Sequence, residues 1–197
     1  DGRVYTFTLQ PRGRWSNGDP VVAEDFAFGL RRSADPSTLS EYSAILYPID
    51  NAEAVVNGQL PPEKLGVRAL DERTLEIRLH SPTPYLLGLL THSSTYAVHR
   101  PSVEKFGDQF ARPGNLVSNG AYRLNAWKVQ SHIQLVRNPH YWEDDKTTID
   151  EVWYYPVENA ESELNRYRAN EFDMRPKTNS TRKNANTKTK VTAKRHR

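Results

Sequence analysis

Cysteine is absent from this 197-residue chain, which excludes disulfides, thiolate metal sites and cysteine nucleophiles. Long apolar runs are absent too: the longest patch, residues 85–90, is far short of the roughly 20 residues that cross a bilayer as a helix. No signal-peptide pattern opens the sequence. It begins on Asp1-Gly2 and enters a strand pattern at once, so an N-terminal portion is expected to be missing. Metal-ligand spacing is lacking as well. His80, His92, His99, His132, His140 and His196 form no H-x-x-x-H or His/carboxylate pattern and read as surface histidines. Glu143-Asp144-Asp145 lack the glycine and distal glutamate of a calcium loop and read as a solvated turn. Ser93-Ser94 offer no nucleophile elbow. No metal or cofactor is expected, and no enzyme activity.

Acidic residues are missing from one region. Residues 175–197 hold nine Lys/Arg, no Asp or Glu, no aromatic residue and no Leu, Ile or Met. The other 18 basic residues face all 24 acidic ones, so residues 1–174 carry about −6 although the whole chain is +3. A basic total suggests nucleic acid or an anionic surface, but here it belongs to the last segment alone. That segment has too little apolar surface to offset chain entropy and reads as a disordered tail. Loose polyanion binding through it is the one route to nucleic acid, and nucleic acid is not an expected partner.

What is present is a mixture of strand and helix patterns. Residues 4–9 alternate, with Tyr5, Phe7 and Leu9 on one face, as a half-buried strand requires. Asn17-Gly18 marks a turn. A helix is expected from Ala23 to about Ser33, with Glu24 and Asp25 at the positive end of its dipole and Val22 unable to cap it by side chain. Residues 51–57 read as a short helix. Residues 67–70 and 74–79 form a hairpin, with Leu75, Ile77 and Leu79 inward. Further helices are expected from Pro84 to about Leu90, from a Ser102 cap to Gly107, and over 159–169 with Leu164 and Tyr167 on the buried side. A second hairpin covers 122–126 and 133–135, and a strand covers 152–157. Gly18 and Gly120 read as backbone conformations closed to other residues. The fold class is therefore α/β, with a mixed rather than purely parallel sheet.

The stretch Trp15-Ser16-Asn17-Gly18-Asp19-Pro20, followed by Ala23-Glu24-Asp25-Phe26, closely resembles the entry signature of the peptide-binding family of bacterial ABC-transporter receptors, the peptide/nickel-type family 5 solute-binding proteins. Ser118-Asn119-Gly120-Ala121-Tyr122 and Arg137-Asn138-Pro139-His140-Tyr141-Trp142 are the next most specific marks. Asn165-Arg166-Tyr167-Arg168 and Glu171-Phe172-Asp173-Met174 complete the series. The resemblance runs through nearly all of 1–174 and is expected to stop at Met174, where an abrupt change of composition suggests a frameshift or, alternatively, a genuine basic tail.

That resemblance implies a non-catalytic, periplasmic, monomeric receptor that captures an oligopeptide ligand between two hinged lobes and works with the membrane permease of an ABC transporter. It implies a partial periplasmic-binding-protein type II-like fold: residues 1–120 as the small accessory domain, 121–174 as part of the first ligand-binding lobe, and 175–197 as the tail. Most ligand contacts, including the acid that pairs with a peptide amino terminus, belong to family regions outside this chain. Tyr42 lies where the family has an aromatic residue that reaches the bound peptide; loop packing is the alternative reading. Murein-peptide binding, or a truncated gene product that binds nothing, are the alternative functions.

Overall fold

The structure is a computed structural model that describes residues 2–173 and the backbone of the short strand Val191–Thr192. The tail and frameshift readings of 175–197 otherwise lie outside the described residues. The chain divides into two compact units, one of residues up to 14 with 19–107, the other of residues 15–18 with those from 108 onward.

The first unit is a three-stranded antiparallel sheet covered on one face by helices. β1 (Val4–Thr8) is followed by α1 (Ala23–Ala34), α2 (Ala52–Val56), β2 (Val67–Ala69), β3 (Thr74–Arg78), α3 (Leu86–Leu89) and α4 (Arg100–Phe106). The order is β1-β3-β2, with Tyr5 opposite Ile77, Phe7 opposite Leu75, and Val67 also opposite Ile77. These pairs place Tyr5, Phe7, Val67, Leu75 and Ile77 on one face. α1 lies over that face. Its Ala23, Ala27, Leu30 and Ala34 join Leu46, Ile49, Val55, Leu75, Ile77 and Leu86 in one core, with Tyr5 and Phe7 packed against it.

Val22 indeed supplies no side-chain cap, but its backbone N–H donates to the Asp25 carboxylate at 2.9 Å. The acid in the first turn therefore does half of a capping box's work. Gly29 lets α1 approach the segment after α3: a Cβ there would sit 2.5 Å from the Tyr96 carbonyl oxygen. α3 is shorter than the apolar patch suggests, and α4 starts earlier than expected. His99, not Ser102, is the N-cap of α4, and Ser102 lies buried inside its first turn.

The second unit is a meander of β4 (Tyr122–Lys128), β5 (His132–Arg137) and β6 (Glu151–Tyr154), followed by α5 (Ala160–Arg168) and β7 (Val191–Thr192). The sheet order is β4-β5-β6-β7, and every described pair is antiparallel. The register shifts between Leu124 and Ala126, a bulge, and Asn125 there donates to Gln134 at 2.8 Å. The early segment around Trp15 belongs here. The Ser16 N–H donates to the Ser118 carbonyl at 2.7 Å, and the Ser118 N–H donates to the Ser16 hydroxyl at 3.2 Å.

Gly18 has φ of +94°, as its turn requires. Gly120 does not adopt a left-handed conformation; its carbonyl instead accepts from the fully buried Asn138 at 2.8 Å. Asn159 caps α5 by accepting from Glu161 and Ser162. The buried side of α5 differs from expectation: Glu163 is buried and Tyr167 exposed. Arg166 turns inward instead, 4.2 Å from the Phe172 ring and 5.5 Å from that of Tyr155. The Tyr155 ring in turn stacks on Trp153.

Candidate functional site

After α1 the chain turns at Asp35, whose carboxylate accepts from the Ser37 N–H at 2.8 Å. It then passes Leu39, at φ of +53°, and reaches a one-turn 3-10 helix over Ser43–Leu46 with Tyr42 at its N-cap. Leu46 is buried and anchors this turn in the core. Tyr42 is left outside, 57% exposed.

The ring of His92 lies against it, centroids 5.0 Å apart and tilted by 48°. His92 is itself the N-cap of a 3-10 turn, Ser93–Thr95. Its Nδ1 accepts from the Ser94 backbone N–H at 3.3 Å and pairs with the Ser94 hydroxyl at 2.7 Å. A backbone N–H can only donate, so Nδ1 carries the lone pair and the neutral ring holds its proton on Nε2. Among the described residues, neither that Nε2–H nor the Tyr42 hydroxyl has a hydrogen-bond partner.

The turn beneath His92 is rigidly held. The Thr95 hydroxyl shares its one proton between the carbonyls of Leu90 and His92, and Ser33 of α1 donates to the Ser94 carbonyl at 2.6 Å. Tyr96, which ends the turn, is also exposed, its hydroxyl donating to the Thr91 carbonyl at 3.2 Å. Tyr42 and His92 thus present an aromatic surface with two unused polar groups on a fixed backing. Such a surface stacks on apolar side chains and hydrogen-bonds to a main-chain carbonyl. The family resemblance offers Tyr42 as a candidate; it does not offer His92, whose ring partner lies fifty residues earlier with no spacing rule to join them.

A second constellation has the residue types of a hydrolase. The buried His99 ring pairs through Nδ1 with Ser102 Oγ at 2.7 Å and through Nε2 with Asp19 Oδ2 at 3.3 Å. Ser102, however, is only 5% exposed within the first turn of α4, so its hydroxyl cannot meet a substrate. The trio is a structural clasp between Asp19 and the start of α4. It also corrects the reading of His99 as a surface histidine.

Two of the acids at 143–145 are tied down, while Asp145 stays exposed. Asp144 accepts two bonds from Arg137, at 2.6 and 2.9 Å, and the guanidinium holds that carboxyl below its usual range. Glu143 pairs with Lys146. Among the described residues no three His, Cys, Asp or Glu gather as a metal site. A hollow of about 330 Å³ beside Tyr47 and His80 and another of about 500 Å³ along α5 are lined by neither Tyr42 nor His92. Trp15 is buried, Trp142 packs edge-on to Tyr141, and Trp127 is exposed on β4.

Comparison with known proteins places this geometry. The model of the family "Bacterial extracellular solute-binding proteins, family 5 Middle" matches residues 1–196, continuing past Met174, where the resemblance was expected to end. The periplasmic oligopeptide-binding protein OppA of Salmonella typhimurium is 44% identical over 176 residues, 88% of this chain and 32% of that protein. The periplasmic murein peptide-binding protein MppA of Escherichia coli is 38% identical over 176 residues, again 88% of this chain and 33% of that protein. The structure of Haemophilus influenzae OppA in complex with the peptide RPPGFSPFR superposes with a TM-score of 0.84 at 38% identity, covering 87% of this chain and 34% of that one. The substrate-binding domain of an oligopeptide ABC transporter from Bacillus anthracis gives 0.83 at 38% identity, covering 87% and 33%. The chain therefore spans about a third of the length of the relatives it matches, and its mixture of helix and sheet is that of periplasmic-binding-protein-type receptors. Matched along nearly its whole length and in its fold, the chain belongs to the family 5 bacterial extracellular solute-binding proteins.

Proposed function

We propose that this chain is part of the substrate-binding component of an ABC peptide importer, a non-catalytic receptor that captures oligopeptides in the periplasm and delivers them to a membrane permease. The observation that carries this reading is the 44% identity with a periplasmic oligopeptide-binding protein, together with the exposed Tyr42–His92 pair. Tyr42 supplies an aromatic face and a hydroxyl to the peptide. His92 orients that ring and offers Nε2–H to a main-chain carbonyl. The compact unit that carries both residues corresponds to the small accessory domain, and the meander of β4 to β6 to part of the first lobe. The receptor acts as a monomer, and nucleic acid has no part in its work.

Murein peptides are the second reading, supported by the 38% identity with MppA. The experiment uses a receptor in which residues 1–174 replace the matching third of the Salmonella relative. Titration with oligopeptides and with murein tripeptide ranks the two ligand classes, and loss of binding to both overturns the proposal.

A further inference from the structure

The face of the β1-β3-β2 sheet that α1 does not cover carries a charged group for which peptide capture has no use. Arg68 and Arg78 each donate through Nε to the same oxygen of Glu76, at 2.9 and 2.8 Å. The register explains why: Arg68 stands opposite Glu76 on the neighbouring strand, and Arg78 follows Glu76 two residues later on the same face. Glu76 is thereby covered to 8% exposure, while the arginine side chains remain 55% and 52% exposed. Among the described residues, neither guanidinium has another acceptor. Two forks are therefore held side by side by one carboxylate, their outer N–H edges open, with one net positive charge between them. Val4, opposite Arg78, and Leu70, beside Thr74, leave apolar surface on either side, 49% and 48% exposed.

We propose that this face is a docking surface for a carboxylate-rich segment of a partner protein. Planar forks with parallel N–H groups match carboxylates in two-point contacts that a point charge cannot make. Within residues 1–174, which carry about −6 in total, this face attracts an acidic segment that the rest of that region repels, and so favours contact here within it. An anionic membrane is a poorer fit. Lipid recognition draws on clusters of roughly four to eight Lys/Arg, and this face has two, one of whose charges Glu76 cancels. The flanking Val4 and Leu70 suit the apolar margin of a protein contact.

The test follows the Arg68 and Arg78 Nε–Hε resonances of the isotope-labelled full chain during titration with a deca-glutamate peptide. This readout is local, so binding along the basic residues 175–197 does not register in it. Both resonances shift saturably, and added salt weakens the effect. The double variant R68S/R78S lowers the local affinity roughly tenfold, read from the amides of β2 and β3. R68K/R78K keeps both charges and the partners of Glu76, so it folds, yet it loses most of that affinity because an ammonium has no fork. Unmoved Hε resonances overturn the proposal. So does wild-type affinity in R68K/R78K. Shifts produced by anionic lipid vesicles or by self-association, in place of the peptide, also overturn it.

Discussion

The ring of His92 stands 5.0 Å from that of Tyr42 and is fixed there by the Ser94 backbone N–H at its Nδ1. The pairing joins a loop after α1 to a turn after α3, so neither aromatic residue depends on a ligand for its place. Truncating Tyr42 removes the contact surface itself. Truncating His92 removes both a donor and the support of the tyrosine ring. In a receptor completed with the rest of a relative, Tyr42→Ala is expected to weaken oligopeptide binding by about 1–2 kcal/mol, and His92→Ala by a similar amount. Tyr42→Phe keeps the stacking and loses only the hydroxyl, so it falls between Ala and wild type. Calorimetry on the three variants checks the order, and equal affinity for all of them removes Tyr42 and His92 from the site.

Gly29 and Gly88 give a paired test of packing. At Gly29 a methyl group meets the Tyr96 carbonyl oxygen at 2.5 Å, backbone against backbone, whereas at Gly88 nothing lies within 4 Å. Gly29→Ala is expected to destabilise the protein by roughly 1–3 kcal/mol through forced separation of α1 from the segment at 96–98. Gly88→Ala, in the helical α3, leaves stability unchanged or raises it by up to about 1 kcal/mol. Urea unfolding of both variants separates the two outcomes.

Val22 occupies an N-cap with the extended backbone such a position needs, φ −114° and ψ 162°, but brings no acceptor. Val22→Thr has nearly the same shape and adds a hydroxyl within reach of the first-turn N–H groups. The expected gain is about 0.5–1 kcal/mol, read as a higher urea midpoint with unchanged slope. A drop in midpoint would show that the valine methyl groups contribute more by packing than the hydroxyl does by capping.

Glu76 makes stability depend on acidity. Hydrogen bonds from Arg78 and then Arg68 hold its carboxyl below the usual value of 4.5. A carboxyl whose folded value is depressed binds fewer protons in the folded than in the unfolded state, so its contribution is fully present above the unfolded value. It is lost as pH falls through the folded value. Asp144, held down by Arg137, adds in the same direction. Unfolding measured from neutral pH down past 4.5 should therefore show a steep acid limb, shallower in Glu76→Gln. An unchanged limb in that variant would show that the two arginines do not discriminate the charged form.

Much of this fold is legible in short-range pattern, because its determinants are short-range. The alternation of Tyr5, Phe7 and Leu9 and of Leu75, Ile77 and Leu79 foretells both the strands and their buried face, since a period of two leaves no other choice. What is hidden depends on contacts between distant residues. Ser102 reads as a cap until His99 takes that place and turns its ring onto the serine. Gly120 reads as a special backbone until Asn138, eighteen residues on, takes its carbonyl. Tyr167 reads as the buried side of α5, but cation–π contacts of Arg166 with Phe172 and Tyr155 draw the helix the other way. In the candidate site the same division holds: Tyr42 is offered by the family resemblance as a candidate, whereas His92 becomes visible only through its ring contact. Arg68 and Arg78 look like ordinary polar residues of a solvated strand until the register brings both onto Glu76.

The most direct test is calorimetry on the receptor in which residues 1–174 replace the matching third of Salmonella typhimurium OppA, titrated with the nonapeptide RPPGFSPFR. Saturable one-to-one binding that Tyr42→Ala weakens is expected. A folded chimera, with a single cooperative melting transition, that gives no heat with this peptide or with shorter ones would contradict it.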